Sequence, residues 1–156
     1  MAVGEADAWF APKPVIRPLG RVYQRISEWG YPIMRFATGA ILAPHGVQKV
    51  FFAPLSQYAA SIGGHGLPAP TLLAVLTFAT EFAGAICLAL GLFTRLAAAM
   101  IMVQMLVITF VYQWPNGYFW TNKGYEFPLL WALLCLGILF RGGGRYSLDR
   151  LIGWEL

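Results

Sequence analysis

The stretch PTLLAVLTFATEFAGAICLALGLF, residues 70 to 93, contains one charged residue, Glu81, among apolar and small side chains. Its length exceeds the roughly 20 residues that an α-helix needs to cross about 30 Å of hydrocarbon. A carboxylate at the centre of such a helix costs at least about 2.5–3.5 kcal/mol, so it tends to face other protein rather than lipid. The stretch therefore predicts a membrane-spanning helix with a polar group turned toward neighbouring helices.

Three further apolar runs flank this stretch, at roughly residues 31–52, 96–112 and 125–140. The 156-residue chain is 58% hydrophobic and 12% charged, against about 25% charged in ordinary soluble proteins. A soluble domain of this size has too much surface to cover with so few polar groups. We predict an all-α fold, an integral membrane four-helix bundle over residues 31–141, followed by a cytoplasmic C-terminal tail at 142–156.

The first thirty residues differ from the rest of the chain and are predicted to form a cytoplasmic N-terminal segment. Apolar residues between Pro18 and Trp29 recur at helical spacing, with basic residues on the opposite face. This pattern predicts an N-terminal amphipathic helix lying at the membrane interface, or alternatively a cap that packs on another subunit. A second short interfacial helix is expected at residues 54–61. The first apolar run begins after residue 30 and carries charges, which makes it a poor match to a cleavable signal peptide.

Basic residues are distributed unevenly between the two sides of the predicted topology. Eight fall on the side of the termini and two on the other side. The eight are Lys13, Arg17, Arg21, Arg25, Arg95, Arg141, Arg145 and Arg150, and the two are Lys49 and Lys123. By the positive-inside rule, we expect both termini to be cytoplasmic in a multi-pass protein of the bacterial inner membrane.

Ionisable residues inside the apolar runs are the candidate site. Arg35, His45 and Lys49 fall within one arc of the first predicted helix. Estimated depths predict two pairs, Lys49 with Glu126 and His45 with Glu81, in a polar pocket near the outer leaflet. A histidine beside a carboxylate is suited to proton transfer near neutral pH, and quinone chemistry needs such a group. The alternative is that these pairs only hold the helices in register.

The aromatic residues Trp114, Tyr118 and Tyr125 are expected to contact a flat ligand from the outer loop. The two cysteines, Cys87 and Cys135, lie inside apolar runs, and neither a disulfide framework nor a metal site is expected from their spacing. We expect no intrinsic cofactor, so a redox centre would be a bound quinone or would belong to a partner. The basic residues do not form the single exposed face that nucleic-acid binding needs, so no nucleic-acid partner is expected.

Several motifs of this chain resemble those of the DoxX family of small four-span membrane proteins. They are RFATG (35–39), HGVQKVFF (45–52), GLPAP (66–70), EFAG (81–84), GLFTRLAA (91–98), NGYF (116–119), GYEFPLL (124–130) and GRYSLD (144–149). The similarity covers roughly residues 31 to 150. The family's polar signature then falls on Arg35, His45, Lys49, Glu81, Arg95 and Glu126. One departure is Gln113, where many relatives have a histidine.

The resemblance implies a membrane subunit of a quinone-linked oxidoreductase complex that is not catalytic alone. Its partners would be membrane lipids and other membrane subunits or redox enzymes. In this interpretation His45 and Glu81 handle protons, and Arg35, Lys49 and Glu126 line the pocket. Two alternatives remain open: a scaffold that only stabilises a larger membrane assembly, and a small transporter, which four short spans without an inverted repeat make less attractive.

Overall fold

The computed structural model describes residues 15–155, and every regular element within that range is a helix. The α-helices are α1 (Arg17–Phe52), α2 (Leu55–Gly64), α3 (Pro70–Ala79), α4 (Ala85–Leu90), α5 (Thr94–Val107), α6 (Glu126–Arg141) and α7 (Leu148–Ile152). Two π-helical turns (Thr80–Gly84 and Ile108–Gln113) and two 3₁₀ turns (Trp114–Asn116 and Trp120–Asn122) complete the set. The all-α class is confirmed for the described part of the chain.

Within residues 15–155, two helical stretches are long and apolar enough to cross a membrane, Pro70–Leu90 and Thr94–Asn116. They coincide with the second and third predicted spans. The first predicted span, residues 31–52, lies in α1 and contains Pro32 and Pro44 together with Arg35, His45 and Lys49. The fourth lies in α6, whose 16 residues measure about 24 Å at the usual rise of 1.5 Å per residue. Membrane crossing by these two helices stays a prediction.

The predicted amphipathic helix at 18–29 is not a separate element, because α1 continues without a break from Arg17 to Phe52. Pro32 and Pro44 lie inside this helix, and each leaves one helical backbone hydrogen bond unmade because proline has no N–H. The apolar residues of the 18–29 stripe are exposed, as are Arg21, Arg25 and Glu28 on its other face. Its interfacial role stays a prediction. The short helix expected at 54–61 is present as α2.

Two glycines of α1 allow it to approach the helix that contains Glu81. A Cβ at Gly39 would overlap the backbone of Ala85 and Ala89, and one at Gly46 would overlap the backbone of Glu81. In lipid, where no hydrophobic effect drives helices together, such small residues permit the close packing that holds them. Gly39 therefore lets α1 pack closely against α4, and Gly46 lets it pack against the Glu81 turn.

The segment after α6, predicted as a tail, is bound to the rest of the protein. The buried Asp149 carboxylate accepts hydrogen bonds from the backbone N–H of Phe93 at 2.6 Å and of Thr94 at 2.9 Å, and from Thr94 Oγ1 at 2.6 Å. A carboxylate at the first turn of α5 satisfies backbone donors that have no partner within the helix. The terminal segment thus fastens the start of α5.

Candidate functional site

Glu81 is a buried acid, and its partner is Lys49. Lys49 Nζ donates to Glu81 Oε2, and the two side chains are 14% and 3% exposed. Glu81 lies in the π-helical turn between α3 and α4, where the wider turn changes the direction of its side chain relative to a regular helix. Turns of this kind occur frequently at functional sites. Pairing lowers the cost of keeping both charges out of water.

Two further side chains bind to this pair. Gln104 Nε2, from α5, donates to Glu81 Oε1 at 2.5 Å, so each carboxylate oxygen has its own donor. The Lys49 ammonium also lies 5.4 Å from the centre of the Tyr58 ring, a cation–π contact. Burial, and to a smaller extent the Glu81 carboxylate, raises the pKa of the Tyr58 phenol above its usual 10.0. Tyr58 therefore stays protonated at neutral pH and able to donate a hydrogen bond.

A cavity of about 730 Å³ opens beside this cluster, between α2, α3, α5 and the turns that follow α3 and α5. Its walls are mostly apolar, with a few polar groups. The lining residues are Lys49, Tyr58, Ser61, Ile62, Leu67, Pro68, Leu73, Leu76, Thr77, Thr80, Glu81, Met100, Val103, Gln104, Val107, Ile108, Tyr112 and Gln113. Sites for small molecules and cofactors commonly measure about 300–1,000 Å³ and combine apolar walls with a few polar groups. The cavity has the size and composition of such a site.

Both pairings predicted from sequence are wrong. Glu81 is bound by Lys49 and Gln104, whereas His45 is exposed and does not line the cavity. Glu126 begins α6, half-buried, and lies outside the cavity lining as well. The prediction placed residues by depth alone, and depth does not determine which of two side chains four residues apart turns inward. His45 and Lys49 lie about one helical turn apart, and only the longer side chain, that of Lys49, reaches Glu81.

Arg35 occupies a different environment from the one predicted. Its guanidinium donates to the carbonyl oxygens of Leu88 at 2.8 Å, Ala89 at 3.0 Å and Tyr146 at 2.6 Å. The first two carbonyls belong to the last turn of α4, where a positive charge is favourable to the helix dipole. Arg35 is 3% exposed and does not line the cavity. All three of these acceptors are backbone carbonyl oxygens.

The three aromatic residues proposed as ring contacts lie together. Trp114 stacks on Tyr125 with ring centres 4.7 Å apart, and Tyr118 meets Tyr125 edge-on at 5.7 Å. None of the three lines the cavity. The tyrosines that line the cavity are instead Tyr58 and Tyr112, and the ring of Tyr112 lies 4.1 Å from the ring of His65. His65 also contacts the Ser61 carbonyl oxygen through Nδ1 at 2.8 Å.

Sequence reasoning missed the part that α2 plays in the site. Tyr58, Ser61 and Ile62 form one wall of the cavity, whereas the sequence analysis predicts only an interfacial role for the helix that contains them. Gln104 also belongs to the site, although an isolated polar residue in an apolar helix commonly bonds to a carbonyl of its own helix. The sequence contains a signal for the contact between Gln104 and Glu81, because each residue lies near the middle of its predicted span and the two spans are adjacent in the chain. Among residues 15–155, no cluster of three or more potential metal ligands occurs.

These features define a helical protein with membrane-length apolar helices and a polar cluster beside a cavity. A family model for DoxX matches residues 30–114, more than half of the chain. The chain is also 34% identical over 119 residues to an uncharacterized protein of Haemophilus influenzae, covering 74% of this chain and 85% of that protein. The chain belongs to the DoxX family. No solved structure matches it. Family membership and the two apolar helices together support a membrane protein.

Proposed function

We propose that this DoxX-family protein is a membrane subunit of a quinone-linked redox complex and that its cavity binds the quinone. The observation that carries the proposal is the Lys49–Glu81–Gln104 cluster at the edge of an apolar cavity of about 730 Å³. Side chains such as Leu73, Leu76 and Val107 would contact the ring and its hydrocarbon chain. The polar cluster would orient the ring oxygens.

The chemistry of the cluster suits a ligand that exchanges protons. A bound quinone takes up electrons together with protons. Lys49 carries three N–H groups, of which one is directed at Glu81, and Tyr58 has a neutral phenol. Both can donate to a ring oxygen, while the Glu81 carboxylate can accept a proton or return one. These three residues replace the His45–Glu81 pair of the sequence interpretation as the proposed proton-handling groups.

The topology that goes with this proposal is a four-helix membrane bundle in the bacterial inner membrane. Its four spans would lie in α1, in Pro70–Leu90, in Thr94–Asn116 and in α6. The eight-to-two distribution of basic residues supports cytoplasmic termini. The exposed apolar stripe before residue 30 supports an amphipathic helix at the membrane surface. Partner subunits would supply the redox centre, because the two cysteines and two histidines do not form a recognisable ligand set.

Quinone binding by the purified protein tests the proposal. We would reconstitute the full chain in lipid nanodiscs and measure binding of decylubiquinone by equilibrium ultrafiltration. Val107→Trp places a large ring into the cavity and is expected to reduce affinity at least tenfold. Leu133→Trp adds the same ring at an exposed position of α6 outside the cavity, and it should leave affinity within about twofold.

Two outcomes would contradict the proposal. No saturable binding to the folded wild-type protein would remove quinone as the ligand. Binding that Val107→Trp and Leu133→Trp reduce equally would place the ligand outside the cavity. In either case, full activity of a co-purifying membrane enzyme with the Val107→Trp protein would favour the scaffold alternative.

A further inference from the structure

The cavity lies where the two membrane-length stretches separate from each other. Helix α5 packs against α4 and against the turn Thr80–Gly84, and its Gln104 bonds to Glu81 in that turn. Between α5 and α3 there is little direct contact. The two stretches therefore meet at the level of Glu81 and leave a space along α3, here called the α3–α5 gap.

Both helices turn one face toward this gap. The lining residues recur at intervals of three and four on each helix, which places them on one side of it. They are Leu73, Leu76, Thr77 and Thr80 on α3, and Met100, Val103, Gln104 and Val107 on α5. The cavity is thus bounded on two sides by facing helices, and the Glu81 cluster lies where those helices come together.

The lining reaches the outer surface of the protein at Leu76 and Val103. Leu76 is 45% exposed and Val103 is 55% exposed, although both line the cavity. Leu73, Met100 and Val107 line it too and are less exposed. Leu76 and Val103, one on each helix, therefore form the apolar rim of an opening between α3 and α5.

This opening lies at hydrocarbon depth when the two stretches cross a membrane. Leu76 follows the start of Pro70–Leu90 by about 9 Å, and Val103 follows the start of Thr94–Asn116 by about 14 Å, at the usual rise of 1.5 Å per residue. The hydrocarbon layer is about 30 Å thick, so both positions fall within it. The surroundings of the opening are then lipid chains rather than water.

We propose that the cavity opens sideways into the membrane through the α3–α5 gap, and that the hydrocarbon chain of the bound quinone lies in this gap between Leu76 and Val103. The inference rests on the proposed function and specifies the ligand as a membrane-dissolved quinone whose chain is not enclosed. Lipid chains are as apolar as these side chains, so a chain in the gap exchanges one hydrocarbon contact for another. Affinity per concentration of quinone in the bilayer then depends little on chain length.

A comparison of chain lengths with the wild-type protein tests the opening. Decylubiquinone and a ubiquinone with a full-length isoprenoid chain would be titrated in nanodiscs, with each affinity expressed per mole fraction of quinone in the bilayer. We expect the two affinities to agree within about threefold. An enclosed cavity of about 730 Å³ suits a drug-sized ligand and would exclude the longer chain.

Tryptophan substitutions test which gap the chain occupies. Val103→Trp fills the rim, so the affinity for decylubiquinone should fall about tenfold, as for a typical overpacked site. The affinity for the same quinone ring without a chain should stay within about twofold. Val107→Trp, farther inside, should weaken both ligands. Leu96→Trp is the matched control, because Leu96 is exposed on α5 but does not line the cavity, and it should weaken neither.

The outcomes separate this inference from the proposed function. If no quinone binds, the proposed function fails. If the long-chain quinone binds more than tenfold more weakly than decylubiquinone, the quinone site stands and the sideways opening is wrong. A folded Val103→Trp protein that binds decylubiquinone normally, or that weakens both ligands equally, contradicts the position of the chain. The comparison of chain lengths decides even if Val103→Trp does not fold, because it needs no variant.

Discussion

Charged side chains have different kinds of partner in two polar regions of this protein, one around Arg35 and Asp149 and the other around Glu81. Around Arg35 and Asp149, charged side chains bind backbone groups at the ends of helices. Around Glu81, charged side chains bind one another beside a cavity. Helix ends present backbone donors and acceptors that must be paired, so charges there are used by the fold itself. A side-chain cluster beside a cavity still has hydrogen-bonding capacity for a ligand.

Removing one member of the side-chain pair should have the largest effect on stability. Lys49→Met leaves the Glu81 carboxylate, 3% exposed, without its counter-charge. Breaking a buried pair in this way costs about 3–5 kcal/mol. The free energy of unfolding, measured by SDS titration in mixed micelles, should fall by that amount. The double variant Lys49→Met/Glu81→Met should recover most of it, and the exposed Lys123→Met should change little. A loss that the double variant does not recover would contradict the pairing.

Removing the carboxylate that caps α5 should cost less and should leave the cavity unaffected. Asp149→Ala loses three hydrogen bonds, to Phe93 N, Thr94 N and Thr94 Oγ1. At about 1 kcal/mol for each bond, we expect a loss of about 2–3 kcal/mol in the same titration. Decylubiquinone affinity of the folded fraction should be unchanged. A change in affinity comparable to that of Val107→Trp would show that the two regions do not act separately.

The close approach of α1 to the Glu81 turn gives a third test. Gly46→Ala would drive a methyl group into the backbone of Glu81, and backbone cannot move aside as a flexible side chain can. We expect a loss of about 1–3 kcal/mol, typical of overpacking. Gly137→Ala is the matched control, because a Cβ at that exposed position of α6 meets nothing within 4 Å. Equal thermal stabilities of the two variants would be inconsistent with the described helix contact.

The smallest effect is expected at the surface pair of the terminal segment. Arg95 Nε and Glu155 Oε1 are 3.5 Å apart, and both side chains are more than one third exposed. Glu155→Gln removes the charge and can keep the hydrogen bond from Gly143 N. Exposed ion pairs contribute about 0–1 kcal/mol, and salt weakens them. The difference from wild type should therefore stay below about 1 kcal/mol and disappear at high salt, which thermal unfolding at two ionic strengths would check.

The helical class and the apolar stretches were predictable because they depend on local sequence. The run from Pro70 is apolar over a membrane-crossing length, and Gly91 ends the helix with a positive φ of 71°. The presence of a buried acid at Glu81 was predictable for the same reason. The residue that pairs with Glu81 was not predictable. His45 and Lys49 lie on one arc of the helix, and the choice between them depends on helix rotation and on the length of the side chain.

The terminal segment, residues 142–156, also makes a contact that could not be predicted from local sequence. Residues 142–156 are predicted from the sequence only as a cytoplasmic C-terminal tail. In the structure, Asp149 is 4% exposed and holds the first turn of α5. The contact joins residues that are 55 positions apart in the chain. Periodicity and propensity carry no information on contacts at that separation.

The sequence by itself determined the helices, the family and the presence of ionisable groups in apolar surroundings, because these follow from composition, local spacing and motifs. Only the tertiary structure decided that Glu81 binds Lys49 and Gln104, that α2 closes the cavity, and that Arg35 and Asp149 hold helix ends. The physical reason is that a buried charge pairs with whichever group the folded chain places at hydrogen-bonding distance and in a suitable direction. Both depend on how the helices pack, and here the packing depends on close contacts such as that of Gly46 with the Glu81 backbone.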